Sequence, residues 1–206
     1  MNICYPNIAP KKFPNPEEDV IQTENDQFAV LGGGCFWCVE GVYLQLQGVL
    51  DVTSGYSGGT NSSANYEAVC TGQTDHAEVI RIKFDSRQIT YGEILKIFFS
   101  IAHDPTQLNR QGNDVGKQYR SVVFYKGYEQ KNVAKKYIDQ LNKIKIYDHN
   151  IVTTIEPLNE FFEAESYHQR YAENNPNNPY IFHTAVPKIE KIKNQFPEKI
   201  KLQYQG

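Results

Sequence analysis

No run of apolar residues in this 206-residue chain approaches the roughly 20 that a bilayer-spanning helix needs. The opening residues, Met1-Asn2-Ile3-Cys4-Tyr5-Pro6, carry neither the basic nor the apolar stretch of a secretory leader, so the cytoplasm is the expected compartment. An excess of charge of one sign is also missing. A net charge of -3 and a pI near 6.0 give no reason to expect nucleic acid or an anionic membrane surface as a partner. Cysteine is scarce, and its four unevenly spaced occurrences make a poor disulfide framework for a chain this long. In a reducing compartment a close cysteine pair is more often catalytic or metal-binding. What is present is an ordinary globular composition: 40% hydrophobic residues are enough for one core without disulfides or metals, while a mean hydropathy of -0.56 and 14 tyrosines imply a polar surface.

Along the chain, residues 1–26 combine Pro6, Pro10, Pro14 and Pro16 with charged residues, the composition of an extended arm. A catalytic domain is expected over residues 27–187, and a Lys-rich extension over residues 188–206. Glu190 and Glu198 interrupt the basic stretch, which fits a solvated helix or tail better than a binding patch. Phe28 to Leu31 reads as a short strand, Gly32-Gly33-Gly34 as a turn, and Trp37 to Leu46 as a helix. Strands are expected at residues 49–56, 78–84, 119–125 and 151–155. Helices are expected at residues 90–102, opened by the capping pair Thr90 and Glu93, at 134–141, and in a short stretch near 165–173. Such alternation predicts an α/β (α+β) fold, a mixed central sheet flanked by helices. The polar loop 106–116 is long enough to suggest function.

The segment Gly34-Cys35-Phe36-Trp37-Cys38 sets a cysteine where a glycine turn opens a helix. The free N–H groups and positive dipole end there favour thiolate over thiol, predicting a lowered pKa for Cys35. Cys38, three residues on, comes to the same side of the helix. The pair reads as a redox dithiol, as two small core residues, or as half of a zinc site. The other two cysteines are isolated, so ligands for zinc are lacking. The glycines match neither the dinucleotide fingerprint nor the phosphate-binding loop. Strand parity puts Glu78 on the same face as Ile80, Ile82 and Phe84. A carboxyl held there prefers its proton and serves as an acid near neutral pH; the alternative is a strand-end Glu turned to solvent.

Gly34-Cys35-Phe36-Trp37, Tyr66-Glu67-Ala68-Val69-Cys70, His76-Ala77-Glu78-Val79, His103-Asp104-Pro105-Thr106 and Gly112-Asn113-Asp114-Val115-Gly116-Lys117-Gln118-Tyr119-Arg120-Ser121 follow one another in an order that resembles the type A peptide methionine sulfoxide reductases. The likeness extends from about Phe28 to Pro187. It implies a ferredoxin-like two-layer core. It also implies that Cys35 attacks the sulfoxide sulfur of free or protein-bound methionine-S-sulfoxide, that Glu78 protonates the oxygen, and that Tyr66 and Tyr119 hydrogen-bond to it. Phe36 and Trp37 would receive the methyl group, and Asp114 would help hold the polar network. No cofactor and no metal is implied, and the chain is expected to act as a monomer.

Many family members have Gly where Cys38 stands and carry recycling cysteines near the C-terminus, yet no cysteine follows Cys70 here. Cys38 is then the first candidate to resolve a sulfenic acid on Cys35, with Cys4 and an external thiol behind it, and thioredoxin or a similar dithiol is the implied reductant. Cys70, after Val69, reads as a packed and unreactive cysteine. His76 and His103 read as structural hydrogen-bonders, while His149, His168 and His183 are given no role. Two rival readings remain: a general thiol-disulfide exchange protein with no use for Glu78, and a non-enzymatic interaction or metal-binding domain.

Overall fold

The structure, a computed structural model, describes residues 13–21 and 26–205; Cys4 lies outside them. In chain order the regular elements are β1 (Asp26–Gly33), α1 (Phe36–Leu44), β2 (Val49–Ser57), α2 (Tyr66–Cys70), β3 (Ala77–Asp85) and α3 (Tyr91–Ile97). A small hairpin follows, β4 (Arg110–Gln111) and β5 (Asp114–Val115), then β6 (Ser121–Tyr125), α4 (Gly127–Lys143), β7 (Thr154–Pro157) and β8 (Phe162–Glu163). The chain closes with α5 (Tyr171–Asn174), α6 (Pro179–Thr184) and α7 (Val186–Gln195).

Six strands form one sheet in the order β7-β6-β1-β3-β2-β8. The unit β1-α1-β2-β3-α3-β6 fills the four central places with antiparallel neighbours, which is the ferredoxin-like arrangement. β8 extends the sheet antiparallel to β2, and β7 joins β6 in parallel, so the whole sheet is mixed as the alternation of elements predicted.

Strand parity distributes side chains between two layers. Leu31, Ile80, Ile82, Phe84 and Val123 face the main core, shared with α1, α3 and α4, while Val30, Val79, Val122 and Phe124 face a smaller cluster closed by Leu158 and Phe161. Helix α3 begins where expected. The Thr90 hydroxyl accepts from the Glu93 amide at 3.1 Å, and the Glu93 carboxylate accepts from the Thr90 amide at 3.0 Å. After Ile97 the helix widens into a π turn, Phe98–Ala102, whose five residues are all buried.

The described part of the arm and the C-terminal segment both pack on the rest of the protein. Phe13 is buried in the main core, the Tyr137 hydroxyl donates to the Pro14 carbonyl at 2.8 Å, Asp19 accepts from the Gly92 amide, and Glu18 pairs with Lys136. The described part of the arm is therefore extended but fastened across α3 and α4. The Lys-rich segment, expected as a solvated helix or tail, is in part a helix, but one side of it is buried. Ile192, Phe196 and Ile200 are buried in the main core, and α7 packs on α1 at Gly41, where a Cβ would lie 3.0 Å from Ile189 Cδ1. The basic composition misled because the lysine stems share a helix whose other side is apolar. The strand expected at residues 151–155 begins only at Thr154, and Tyr119 sits in a 3₁₀ turn ahead of β6 instead of within a strand.

Candidate active site

Gly34 holds a backbone φ of +89°, and a Cβ there would meet Gln111 Cβ at 2.6 Å. Only glycine makes this turn, and it delivers Cys35 to the N-cap of α1 with its side chain free of any capping bond. The next amide, Phe36 N–H, donates to Glu78 Oε2 at 3.0 Å. One hydrogen bond thus ties the helix start to β3 and sets the carboxyl of Glu78 beside Cys35.

Glu78 is only 2% exposed, and burial raises its pKa to about 8 against the opposing Phe36 amide, with the charges of Asp114 and Cys38 adding to the rise. Burial thus favours the protonated acid near neutral pH. With one oxygen accepting from Phe36, the carboxyl O–H remains to donate.

Cys35 and Cys38 hydrogen-bond to each other and so titrate as a pair. The Cys35 bond lowers the Cys38 thiol to about 6, helped by Lys188 and Thr184, while burial together with the neighbouring Cys38 sulfur and Glu78 pushes the Cys35 thiol well up. The helix terminus alone does not lower Cys35 as the sequence suggested, because desolvation outweighs the dipole at a site only 8% exposed. The Cys38 sulfur lies 3.4 Å from Thr184 Oγ1, and the Thr184 hydroxyl donates to the Tyr180 carbonyl at 2.5 Å.

Trp37 is held on several sides. Its ring stacks on Tyr171 with centroids 3.9 Å apart and 13° between planes, and its indole N–H donates to His168 Nδ1 at 3.2 Å. Phe36 is almost fully buried against Trp37, Tyr56 and His168. Glu165 accepts from the Tyr66 amide at 2.9 Å and from the Tyr56 hydroxyl at 3.0 Å. Glu40, fully buried on α1, accepts from the Arg170 amide at 2.9 Å and so ties the segment carrying His168 and Tyr171 to the helix of the cysteines.

The hydrogen bond to Cys70 and then burial raise the pKa of the Tyr66 hydroxyl, burial raises that of Tyr119, and Glu78 and Cys35 add smaller rises to both. Asp114 accepts from the Tyr180 hydroxyl at 2.6 Å, and Tyr180 also hydrogen-bonds to Cys35. The structure thus gathers Cys35, Cys38, Glu78, Phe36, Trp37, Tyr66, Tyr119 and Asp114 around one point. Cys70 departs from its reading: it is exposed at the end of α2 and bonded to the Tyr66 hydroxyl. A surface groove between Gly58 and Asp75, with Thr60 and Thr71 among its walls, is separate from these side chains.

Sequence reasoning missed Glu165, His168, Tyr180, Thr184 and Lys188. One signal was available, since Asn178 before Pro179 marks a helix start, and the Asn178 side chain accepts from the Tyr180 amide at 2.9 Å. His76 and His103 are the structural hydrogen-bonders expected. His76 accepts from the Gly59 amide and reaches the Thr60 carbonyl, and His103 bridges the Phe98 carbonyl and the Ser121 hydroxyl.

The sequence model described as Peptide methionine sulfoxide reductase matches residues 27–200. The chain belongs to the peptide methionine sulfoxide reductase family. Among curated relatives, it is 46% identical over 197 residues to peptide methionine sulfoxide reductase MsrA 2 of Synechocystis sp., covering 94% of this chain and 92% of that protein. It is 52% identical over 170 residues to the MsrA of Nautilia profundicola, covering 81% and 96%. Solved structures with the same architecture include reduced Mxr1 from Saccharomyces cerevisiae, at a TM-score of 0.70 and 32% identity over 82% of this chain and 96% of that one. Methionine sulfoxide reductase A of Corynebacterium diphtheriae aligns at 0.64 and 31%, over 81% and 85%. The family match runs through α7, which agrees with the burial of that helix in the main core.

Proposed function

We propose that this reductase removes oxygen from the S epimer of methionine sulfoxide, free or in oxidised proteins, with Cys35 as nucleophile and Glu78 as acid. The observation that carries the assignment is the bond from Phe36 N–H to Glu78, which holds a protonated carboxyl next to the cysteine that opens α1. A thiolate on Cys35 attacks the sulfoxide sulfur while the Glu78 proton passes to the departing oxygen, and the Tyr66 and Tyr119 hydroxyls steady the charge that develops there. The sulfoxide S–O bond breaks, its protonated oxygen passes to the Cys35 sulfur, the two-electron-reduced sulfide leaves, and Cys35 becomes a sulfenic acid. Trp37, with Phe36 behind it, forms the apolar wall for the methyl group, and Asp114 with Tyr180 holds the polar side of the site.

Cys38, already hydrogen-bonded to Cys35, attacks that sulfenic acid, forming a disulfide and releasing water. An external dithiol then reduces the disulfide by exchange. Thioredoxin is the proposed donor. Mxr1 of Saccharomyces cerevisiae is known in complex with Trx2, a likeness that for this chain extends to the fold alone. The enzyme acts as a monomer in the cytoplasm. Three described cysteines are free, and no helix among the described residues is long and apolar enough to cross a membrane.

Intact-mass measurement after one equivalent of methionine sulfoxide tests the scheme. Wild type should form a disulfide, Cys38→Ser should accumulate a sulfenic acid, and Cys35→Ala should do neither. Reductase activity in Cys35→Ala at the native rate would refute the assignment. A general thiol-disulfide exchange role is separated by Glu78→Gln, which such a protein would hardly notice.

A further inference from the structure

Trp37 makes one bond that the proposed reaction does not use. Its ring lies flat on Tyr171, and its indole N–H donates to His168 Nδ1 at 3.2 Å. Stacking alone does not fix the ring, because a half-turn about χ2 leaves the indole in the same plane with its N–H on the opposite edge. The hydrogen bond chooses between the two orientations. His168 is itself only 1% exposed, with the rings of Phe36, Tyr66 and Tyr167 at 5.0, 4.6 and 4.2 Å between centroids. With Nδ1 accepting from Trp37, the imidazole proton sits on Nε2, 3.7 Å from Glu165 Oε2. Glu165 is in turn held by the Tyr66 amide and the Tyr56 hydroxyl, so a carboxylate fastened to α2 and β2 stands behind the imidazole.

We propose that His168 is a positioning residue of the methyl pocket, which accepts the Trp37 N–H and so keeps that polar edge out of the apolar wall that receives the sulfoxide methyl. The inference rests on the reading of Trp37 and Phe36 as that wall. A ring turned over would present an N–H donor where the bonded ring presents carbon, and a methyl group cannot satisfy it. The tautomer matters as much as the residue. An imidazole protonated on Nδ1 would set one N–H against another, and the nearby Glu165 carboxylate favours the proton on Nε2 instead. Burial also holds the His168 pKa below the ordinary histidine value, against the pull of Glu165, which favours the neutral ring that can accept. The wall meets the methyl group in the bound substrate and in the transition state alike, so losing its orientation weakens binding and not the chemical step.

The test combines nitrogen-15 NMR of the reduced protein with steady-state kinetics on methionine sulfoxide. The chain holds a single Trp, so one indole N–H resonance reports this bond directly. His168→Phe and His168→Leu remove the acceptor but keep an apolar side chain in the packing, and the dispersed amide resonances of the same spectra select the one that retains the native fold. His168→Asn returns an acceptor, its Oδ1, near the place of Nδ1. The apolar variant should move the indole resonance upfield and raise KM about 10-fold while kcat stays within about twofold of the parent. The Asn variant should bring both back toward the parent. A folded apolar variant with the parent resonance or the parent KM, or an Asn variant displaced as far as the apolar one, overturns the proposal. Because the resonance is read without substrate, this outcome stands apart from the reductase assignment, which falls only with the Cys35→Ala and Glu78→Gln results.

Discussion

At the scale of single residues, Glu78 sets two pH dependences, one of activity and one of stability. As an acid it works only while protonated, so kcat/KM should fall as pH rises through about 8, and Glu78→Gln should lower it by roughly 10²–10⁴-fold while iodoacetamide still labels the dithiol. Its effect on stability has the same sign. The folded protein holds this proton up to about 8, whereas the unfolded chain releases it near 4.5, so the contribution is complete below the lower value and is lost as pH climbs through the higher one. Thermal melts at both ends of that window should show wild type losing stability toward alkaline pH more steeply than Glu78→Gln. Equal slopes would mean that the carboxyl is ionised throughout.

At the scale of elements, the glycine turn and the caps decide where reactive groups point. Gly34→Ala forces a β-carbon into Gln111 at a left-handed backbone position, and it should cost about 1–3 kcal/mol in urea unfolding and slow Cys35 alkylation by moving the N-cap. Thr90→Ala removes one half of the box that starts α3, far from the cysteines. It should cost about 1 kcal/mol and leave turnover unchanged, which separates loss of stability from loss of chemistry. His103 works in the opposite sense to Glu78: burial lowers its pKa to about 3, so stability is lost as pH falls from near 6.5 toward that value. Replacing it with Gln should flatten the acid side of the melting profile.

At the scale of the whole molecule, the last helix belongs to the core that supports α1. Ile192→Ala should destabilise the protein by roughly 2–5 kcal/mol, the range for truncating a buried aliphatic side chain, as read from cooperative urea unfolding. Removing residues 186–206 uncovers α1 at Gly41 and takes Ile192, Phe196 and Ile200 out of the main core, so the shortened chain should melt without a sharp transition. A truncated protein with native melting and native turnover would contradict this picture of the C-terminal segment.

Local patterning was enough to define much of this protein. The alternation in β3 put Glu78 on the core face, Thr90 and Glu93 announced α3, and glycine next to cysteine marked the turn into α1, because each depends on residues a few places apart. Contacts between distant segments were decided only by the folded chain. His168 reaches Trp37 across 131 positions, Tyr180 reaches Asp114 across 66, and Thr184 reaches Cys38 across 146. Short helices such as α5 and α6 carry too few turns to show a period, and a helix rich in lysine looks solvated until an apolar side is found against it. Burial follows the same division: the order of residues states which groups can ionise, but the water that packing removes decides at what pH they do so.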